Sequence, residues 1–359
     1  MKLRNAKVFA MGPQRFRRFI RVITLLVTAA LTSVPAARAA ESNMQFFQIG
    51  TGASSGTYFP IGGMLAKAIS HPHGSRACEA GGSCGVPNLI GVVQSTEGSV
   101  DNIRRMASGQ LPSALVQGDV AYWAHTGTWL FEDSPPVPGL RAIANLFPEA
   151  IHIVVRATSD IRTVEDLKGR KVAVGAPGSG TRVDAQFILE AYGVGFDGVE
   201  KVQLNAGRAA DRLRDGELDA VFFVGGTPAS AITSLAETTA IRLIPVDGAQ
   251  AVRLAHRYPY LARHTIPAEA YPGVDTTQTL AVGAQWIVRA DLNDETVYAL
   301  TKALWHPSNR SLLDTGHPKG RLIRKQTALD RLGVPLHPGA RRYYADQGLL
   351  TDDGAKASN

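Results

Sequence analysis

The sequence of 359 residues is 45% hydrophobic and 19% charged, with a formal net charge of +7. A basic chain suggests a nucleic-acid partner, but eight of its 38 lysines and arginines lie in residues 1–39, which contain no acid. The rest of the chain has 30 basic residues (38 minus 8) and 31 acidic ones, and this near-zero net charge argues against a nucleic-acid partner.

Residues 1–39 are typical of a secretory signal peptide. A basic region precedes an apolar run at 22–34, and Ala37-Arg38-Ala39 fits a small-x-small cleavage site. An uncleaved membrane anchor is the rival interpretation. The apolar run at 22–34 is, however, far shorter than the about 20 residues that a helix needs to span a bilayer. We therefore predict a periplasmic protein that loses residues 1–39 and whose mature chain is not inserted in the membrane.

The segment 46–69 contains the most specific local signal. A predicted strand at 46–49 leads into a loop of glycine, serine and threonine, and a predicted helix at 60–69 follows. Glycine N–H groups, hydroxyls and the positive end of a helix dipole together attract an anion. Because the lysine of a GxxxxGK[ST] loop is missing, a carboxylate is favoured over a triphosphate. The predicted contacts are Thr51, Ser54, Ser55, Gly56, Thr57 and Tyr58.

Cys78 and Cys84 lie in a polar loop, where a disulfide would close a small ring in an oxidising compartment. A metal site is the alternative. It would need further ligands, and the nearby candidates are His71 and His73, which lie among turn residues. The spacing therefore favours a structural disulfide and no metal.

Two units of the same plan follow each other along the chain. The alternation of strands and helices implies mostly parallel sheets covered on both faces. Extended apolar segments at 140–156 and 279–289 are predicted to cross between the units, and the chain after residue 291 is predicted to be helical. The first unit has further strands at 89–94 and 114–116 and a helix at 99–108; the second has strands at 171–174, 199–204 and 220–224 and helices at 183–191 and 209–214.

Ligands of α/β sheets bind outside the carboxyl ends of the strands, so the residues after each predicted strand are candidate contacts. Thr96 and Gln117 are the candidates from the first unit, whereas Asp119 is interpreted as a helix N-cap. Glu149 in the first crossover segment is a candidate acceptor for a ligand amine, and Arg182 a candidate partner for a ligand carboxylate. The second unit supplies Gly178, Ser179, Gly180, Thr181, Arg182 and Gly225. Helix capping or solvation is the structural alternative for the polar members of this set.

Taken together and in order, several stretches resemble the TAXI family of solute receptors, which serve tripartite ATP-independent periplasmic (TRAP) transporters. The resemblance implies a type II-like periplasmic-binding-protein fold, with lobe I formed by 40–145 plus 285–359 and lobe II by 146–284. It also implies a small anionic solute, such as a glutamate-like amino acid or a dicarboxylate, no cofactor, and a membrane permease as partner. The Ala53-Ser54 pair departs from the glycine-richer loop of the family. The resembling stretches include IGTGASSGTYFPIGGMLAKAI, STEGSVDNIRRMASGQ, ALVQGDVAYWAHTGT and TVEDLKGRKVAVGAPGSGT.

Two other functions remain open. Residues 52–56 satisfy the G-x-S-x-G pattern of a hydrolase nucleophile elbow, with Ser54 as the nucleophile. The pattern begins only some ten residues into the predicted mature chain, which leaves no upstream strands to hold such an elbow in a sheet. The same binding fold could also serve an exported sensor that signals to another protein.

Overall fold

A twelve-stranded mixed sheet organises residues 44–351, the part of the chain that the computed structural model describes. The predicted signal peptide at 1–39 lies outside these residues. The strands are β1 (Gln45–Gly50), β2 (Ser70–His71), β3 (Val86–Pro87), β4 (Leu89–Gln94), β5 (Ser113–Gln117), β6 (Leu140–Arg156), β7 (Lys171–Ala173), β8 (Glu200–Val202), β9 (Ala220–Gly225), β10 (Ile241–Leu243), β11 (Ala262–Ile266) and β12 (Thr277–Arg289).

Ten α-helices accompany the sheet within the described residues. They are α1 (Tyr58–Ile69), α2 (Ser99–Ala107), α3 (Gly118–Thr126), α4 (Gly180–Ala191), α5 (Ala206–Arg214), α6 (Ser230–Thr238), α7 (Gly248–Arg257), α8 (Asp294–Leu304), α9 (Arg310–Gly316) and α10 (Pro338–Asp346). The last three confirm the predicted helical character after residue 291, although 3₁₀ turns separate them.

The strand order is β3-β2-β4-β1-β5-β12-β6-β9-β7-β8, with β10 added to β6 and β11 added to β12. Strands β4, β1 and β5 are parallel to one another, and so are β8, β7 and β9. The long strands β6 and β12 lie between these two sets and run antiparallel to their neighbours. The predicted α/β class, with two mostly parallel sets of strands joined by two crossover strands, is confirmed.

The central strands are apolar on both faces because both faces are covered. The side chains of Leu140, Ile143, Ile151 and Ile153 in β6 are all at most 1% exposed, as expected for strands with helices on either side. On one half, α1 packs against β4 and α8 through the apolar stripe Ile61, Leu65 and Ile69. On the other half, α5 packs against β9 and α6 packs against α5, and all three elements contribute to one apolar cluster.

The predicted disulfide between Cys78 and Cys84 is present, with an S–S distance of 1.97 Å. The imidazole Nε2 of His306 lies 3.7 Å from the Cys78 sulfur, whereas the nearby candidates in the sequence were His71 and His73. Within residues 44–351, no helix combines the length and the apolar character needed to cross a membrane.

Candidate functional site

A cavity of about 90 Å³ lies where the carboxyl ends of several parallel strands meet the helices that follow them. This is the position at which open α/β sheets bind their ligands, and the volume is several times the roughly 10–15 Å³ that one buried water requires. Ten of the residues predicted from the sequence line the cavity: Ser55, Gly56, Thr57, Tyr58, Gln117, Glu149, Ser179, Gly180, Thr181 and Gly225.

Thr51 and Thr96, two other predicted contacts, lie behind the cavity wall and not in its lining. Thr51 is fully buried, and its hydroxyl donates to the Gln94 carbonyl at 2.8 Å. The Thr96 hydroxyl in turn donates to the Thr51 carbonyl at 3.0 Å. Their side chains therefore hold the first loop against β4 and the start of α2, a structural role.

The other three predicted contacts outside the cavity lining are Ser54, Gly178 and Arg182. Ser54 is exposed at the tip of the first loop. The Gly178 carbonyl accepts hydrogen bonds from the N–H groups of Val100 and Asp101, at 3.0 and 3.1 Å. Arg182 does not line the cavity, and the Cζ of its guanidinium lies 5.2 Å from the ring centroid of Phe196. The cation expected from the sequence is thus stacked on an aromatic ring.

Four helices begin at the cavity, which makes it attractive to an anion. Its lining includes Tyr58, Ser99, Gly180 and Ala206, the first residues of α1, α2, α4 and α5. The first N–H groups of a helix have no acceptor within the helix, and the helix dipole places partial positive charge at the same end. The structure therefore directs four partly positive helix ends at one small volume. At α2, the N–H groups of Val100 and Asp101 already donate to the Gly178 carbonyl, so this helix acts on the cavity mainly through its dipole.

Three of the hydroxyls expected to bind a ligand already accept hydrogen bonds from backbone N–H groups. The Ser179 Oγ accepts from the Arg182 N–H at 3.2 Å and caps α4, and the Thr181 Oγ1 accepts from the Val224 N–H at 3.1 Å. The Thr57 Oγ1 accepts from the N–H of Gly226 at 3.2 Å. Accepting these bonds shapes the loops but leaves the O–H groups of Thr57 and Thr181 as donors, whereas the Ser179 hydroxyl donates to the Ala176 carbonyl at 2.7 Å. The groups suited to hold an anion are therefore backbone N–H groups at the helix starts together with these two hydroxyls.

Glu149 supplies a buried carboxyl group to the lining of the same cavity. Its side chain is 2% exposed, and the Tyr58 hydroxyl donates to its Oε2 at 2.6 Å. Burial raises the pKa of Glu149 to about 8, although the hydrogen bond from Tyr58 opposes the rise. The group is therefore mostly protonated at neutral pH. An approaching cation would favour its ionised form.

Lys319 stands close to this carboxyl group although it is remote in sequence. It belongs to a 3₁₀ turn, Pro318–Leu322, and is 6% exposed. Burial lowers the pKa of Lys319 to about 8, and the charge of Glu149 partly offsets that effect. Its alkyl chain packs beside Gly226, where an added Cβ would lie 2.7 Å from the Lys319 Cγ. A partial positive charge thus stands near the cavity from the C-terminal segment.

Hydrogen bonds cross the cavity between the two halves of the sheet. Gln117, at the end of β5, donates through Nε2 to the Asp184 Oδ2 of α4 at 2.6 Å. The Ser230 hydroxyl at the start of α6 donates to the Ser55 carbonyl at 3.1 Å. Together with the Gly226–Thr57 bond, these contacts hold both halves around the cavity.

Sequence reasoning did not identify every residue that lines the cavity. Asn205 and Ala206 follow β8, so the strand-end rule that selected the other loops could have selected this one too. Phe222 and Phe223 belong to the lining as well, but a buried aromatic in a strand gives no sign of facing a cavity. The further lining residues are Gly52, Ala53, Glu97, Gly98, Ser99, Gly175, Ala176, Leu204 and Val224.

The helix-cap interpretation of Asp119 was wrong. Helix α3 begins at Gly118, and Gln117 occupies the N-cap position. Asp119 lies inside the first turn with a fully buried side chain, and its Oδ1 accepts from the Val120 N–H at 2.7 Å.

The chain belongs to the NMT1-like family, which matches residues 49–348. Solved structures with a similar chain path include an ancestral arginine-binding protein bound to arginine, at 18% identity and a TM-score of 0.44, covering 76% of this chain and 98% of that one. Another is the periplasmic aliphatic sulphonate binding protein SsuA from Escherichia coli, at 14% identity and a TM-score of 0.42, covering 84% and 78%. A third is PhnD1 from Prochlorococcus marinus in complex with methylphosphonate, at 12% identity and a TM-score of 0.47, covering 76% and 90%.

Proposed function

We propose that this protein is an extracytoplasmic solute receptor of the TAXI type, which binds a small carboxylate and delivers it to a TRAP-type membrane permease. The proposed solute is a glutamate-like amino acid or a small dicarboxylate. The observation that carries the proposal is the convergence of four helix N-termini on one cavity, because backbone N–H groups and helix dipoles suit a carboxylate. Membership of the NMT1-like family over residues 49–348 is compatible with it.

The electrostatics of the cavity favour an anion that also carries a polar or positive group. Its charged lining residues within the described chain are Glu97, which is exposed, and Glu149, which is buried. A carboxylate of the solute would occupy the helix starts, and an ammonium group would be placed against Glu149. A dicarboxylate would instead require Glu149 to keep its proton and to donate a hydrogen bond.

The proposed mechanism is closure of two lobes, 40–145 plus 285–359 and 146–284, around the solute. Cavity residues come from both lobes, for example Tyr58 from the first and Gly180 from the second. A solute that contacts both lobes stabilises the closed arrangement by its additional contacts, and this difference drives closure. The hydrogen bonds between Gly226 and Thr57 and between Gln117 and Asp184 would form part of the closed state.

The hydrolase alternative receives no support from the geometry around Ser54. A nucleophilic serine needs a base within hydrogen-bond reach and an oxyanion site beside it. Ser54 is exposed and does not line the cavity at which the four helices begin. A fluorophosphonate probe that labelled Ser54 in the native protein would reverse this conclusion.

Native mass spectrometry of the protein purified from a periplasmic extract tests the proposal directly. We expect a co-purified solute of low mass that carries at least one carboxylate, and calorimetry with that compound should give 1:1 binding. A retained solute without an anionic group, or no binding by any carboxylate, would contradict the proposal. Uptake by vesicles that contain the permease would distinguish transport from sensing.

A further inference from the structure

Two buried aspartates face each other between the halves of the molecule, beyond the residues that line the cavity. Asp119 belongs to the first turn of α3, which follows β5, and Asp184 belongs to α4, which follows β7. Both side chains are 0% exposed. The two carboxyl groups lie within hydrogen-bonding reach of each other. A contact between two acids therefore joins the two parallel sets of strands.

The helices that carry the two acids also bring aromatic rings together. Trp123 stands one helical turn after Asp119, and Phe187 stands three residues after Asp184, so each helix presents an acid and a ring on the same side. The rings of Trp123 and Phe187 are 5.5 Å apart. Tyr260 closes the cluster, with its ring 5.5 Å from that of Trp123. The acids thus lie beside an apolar, aromatic contact.

Each acid has one oxygen that is satisfied and one that is not. The Asp119 Oδ1 accepts from the Val120 N–H at 2.7 Å, and the Asp184 Oδ2 accepts from the Gln117 Nε2 at 2.6 Å. The Asp119 Oδ2 and the Asp184 Oδ1 are fully buried and have no hydrogen-bond partner among the described residues. Two ionised carboxyl groups that interact with each other out of water, each with an oxygen that lacks a donor, repel each other strongly.

We propose that Asp119 and Asp184 form a binding site for a single proton, and that this shared proton joins the two halves of the molecule. The proton lies between the two oxygens that otherwise have no donor, so that one acid donates and the other accepts. It enters from water when the halves come together and returns to water when they separate. No other reactant is required.

The surroundings favour the protonated form of the pair. Burial, followed by the negative charge of Asp119, raises the pKa of Asp184 well above its usual value. The titratable groups that act on the pair from the packed elements are Glu149 of β6, Tyr58 of α1 and Tyr260. Each of these groups is neutral when protonated and negative when ionised, so none supplies a positive charge that would lower the pKa of the pair. Glu149 itself has a pKa of about 8.

Asparagine substitutions imitate the shared proton with a fixed N–H group. In Asp184→Asn the side-chain oxygen can still accept from Gln117, and the new amide donates toward Asp119; Asp119→Asn does the reverse. In the double variant both amides face each other and one lacks an acceptor. Glu190→Gln is the matched control, because Glu190 lies on the same helix α4 but is exposed.

The test measures the Tm of the purified protein and of each variant between pH 5 and pH 9. Because the folded protein holds a proton that the unfolded chain has released above about pH 4, stability falls as the pH rises toward the folded pKa of the pair. As the pH rises, the Tm of the native protein should fall relative to the Tm of Asp184→Asn. The expected total difference is about 3 °C for each unit by which folding raises the pKa of the pair. The Tm of Glu190→Gln should change with pH in the same way as that of the native protein. If the Tm of both single asparagine variants also changes with pH as in the native protein, the proposal is overturned.

A second measurement identifies the bound species. Infrared spectra of protein labelled with ¹³C only at its aspartate carboxyl groups should show a protonated carboxyl band at pH 7, and Glu149 cannot contribute to the labelled signal. The band should disappear in either single variant. Absence of this band in the native protein would overturn the proposal. If the band is absent and the Tm is higher in a sodium salt than in a choline salt at the same pH, a cation occupies the pair instead.

Discussion

Gln117 occupies the space in which a side chain of Gly180 would stand. A Cβ atom added to Gly180 would lie 1.3 Å from the Gln117 Oε1, although the two residues belong to opposite sides of the cavity. The Gln117 amide is held there by its bond to Asp184 and by the Ser99 hydroxyl, which donates to the Oε1 at 3.4 Å. The glycine at the first position of α4 thus permits the approach of β5 and α4.

Gly180→Ala should therefore weaken solute binding without unfolding the protein. The new methyl group would displace the Gln117 amide and break its hydrogen bond to Asp184, which we expect to cost the closed arrangement about 1–3 kcal/mol. Calorimetric titration with the co-purified solute measures the effect. Gly63→Ala is the control, because Gly63 lies inside α1 with nothing within 4 Å of an added Cβ. That variant should bind normally and gain about 0.5–1 kcal/mol of stability. Equal affinity in both variants would contradict the role of the Gln117–Gly180 contact.

Thr57 offers a second test of the contact between the halves. Its hydroxyl is the acceptor for the Gly226 N–H, which lies on the opposite side of the cavity. Thr57→Val preserves the shape but leaves this buried N–H group without an acceptor, at a cost of about 1–3 kcal/mol. Thr57→Ser keeps the acceptor, so its affinity for the solute should remain close to that of the native protein. If valine and serine bind equally well, the hydrogen bond does not contribute to the bound state.

The loops of the cavity could be predicted because their signal is local. A strand, a run of glycine and hydroxyl residues and an amphipathic helix follow one another in the sequence, and parallel strands bring their carboxyl ends to one edge. The start of α2 at residue 99 was predicted correctly, but the other three helix starts were placed too late, at residues 60, 183 and 209, whereas the helices begin at Tyr58, Gly180 and Ala206. First-turn residues of this kind lack the apolar periodicity on which the prediction relied. That difference matters here, because these first turns line the cavity.

What the sequence could not show depends on residues that are distant along the chain. Asp119 interacts with Asp184, which lies 65 positions later in the sequence, so a local capping rule misassigned Asp119. The Arg182 guanidinium lies over the ring of Phe196, which is fourteen positions later in the sequence. Lys319 enters from the C-terminal segment, which has no motif that marks it as part of the site.

The disulfide should contribute to stability and not to solute binding. Cys78 and Cys84 are separated by six positions, and closing so small a ring in the unfolded chain accounts for roughly 2 kcal/mol in the chain-entropy model. Neither cysteine lines the cavity. Replacing both with alanine should lower the denaturant midpoint by a corresponding amount and leave the calorimetric affinity unchanged. A large loss of affinity would mean that the disulfide loop supports the site.

Glu149 should make the protein less stable as the pH rises. Its pKa is about 8 in the folded protein against a usual 4.5, so the folded state holds a proton that the unfolded chain releases above about pH 4.5. This stabilisation is present below pH 4.5 and is lost progressively up to pH 8. At about 1.4 kcal/mol for each pKa unit, the loss is at most on the order of 5 kcal/mol. Urea unfolding of Glu149→Gln, which stays neutral, should show a smaller decline than the native protein, whereas the exposed-site variant Glu190→Gln should not.

The proton on Glu149 also distinguishes an amino acid from a dicarboxylate as the solute. An ammonium group placed against this carboxyl group favours its ionised form, so binding of an amino acid at pH 7 should release up to one proton. A dicarboxylate should release none, because ionisation would add a like charge. Calorimetry in buffers of different ionisation enthalpy measures the number of released protons, which is the slope of the observed binding enthalpy against the buffer's ionisation enthalpy.

Glu149→Gln should abolish this slope for an amino acid. Glu97→Gln, which changes the other acid of the cavity at its exposed edge, should preserve it. An amino acid that binds the native protein without proton release would place its ammonium group away from Glu149 and leave the helix starts as the recognised feature of the site.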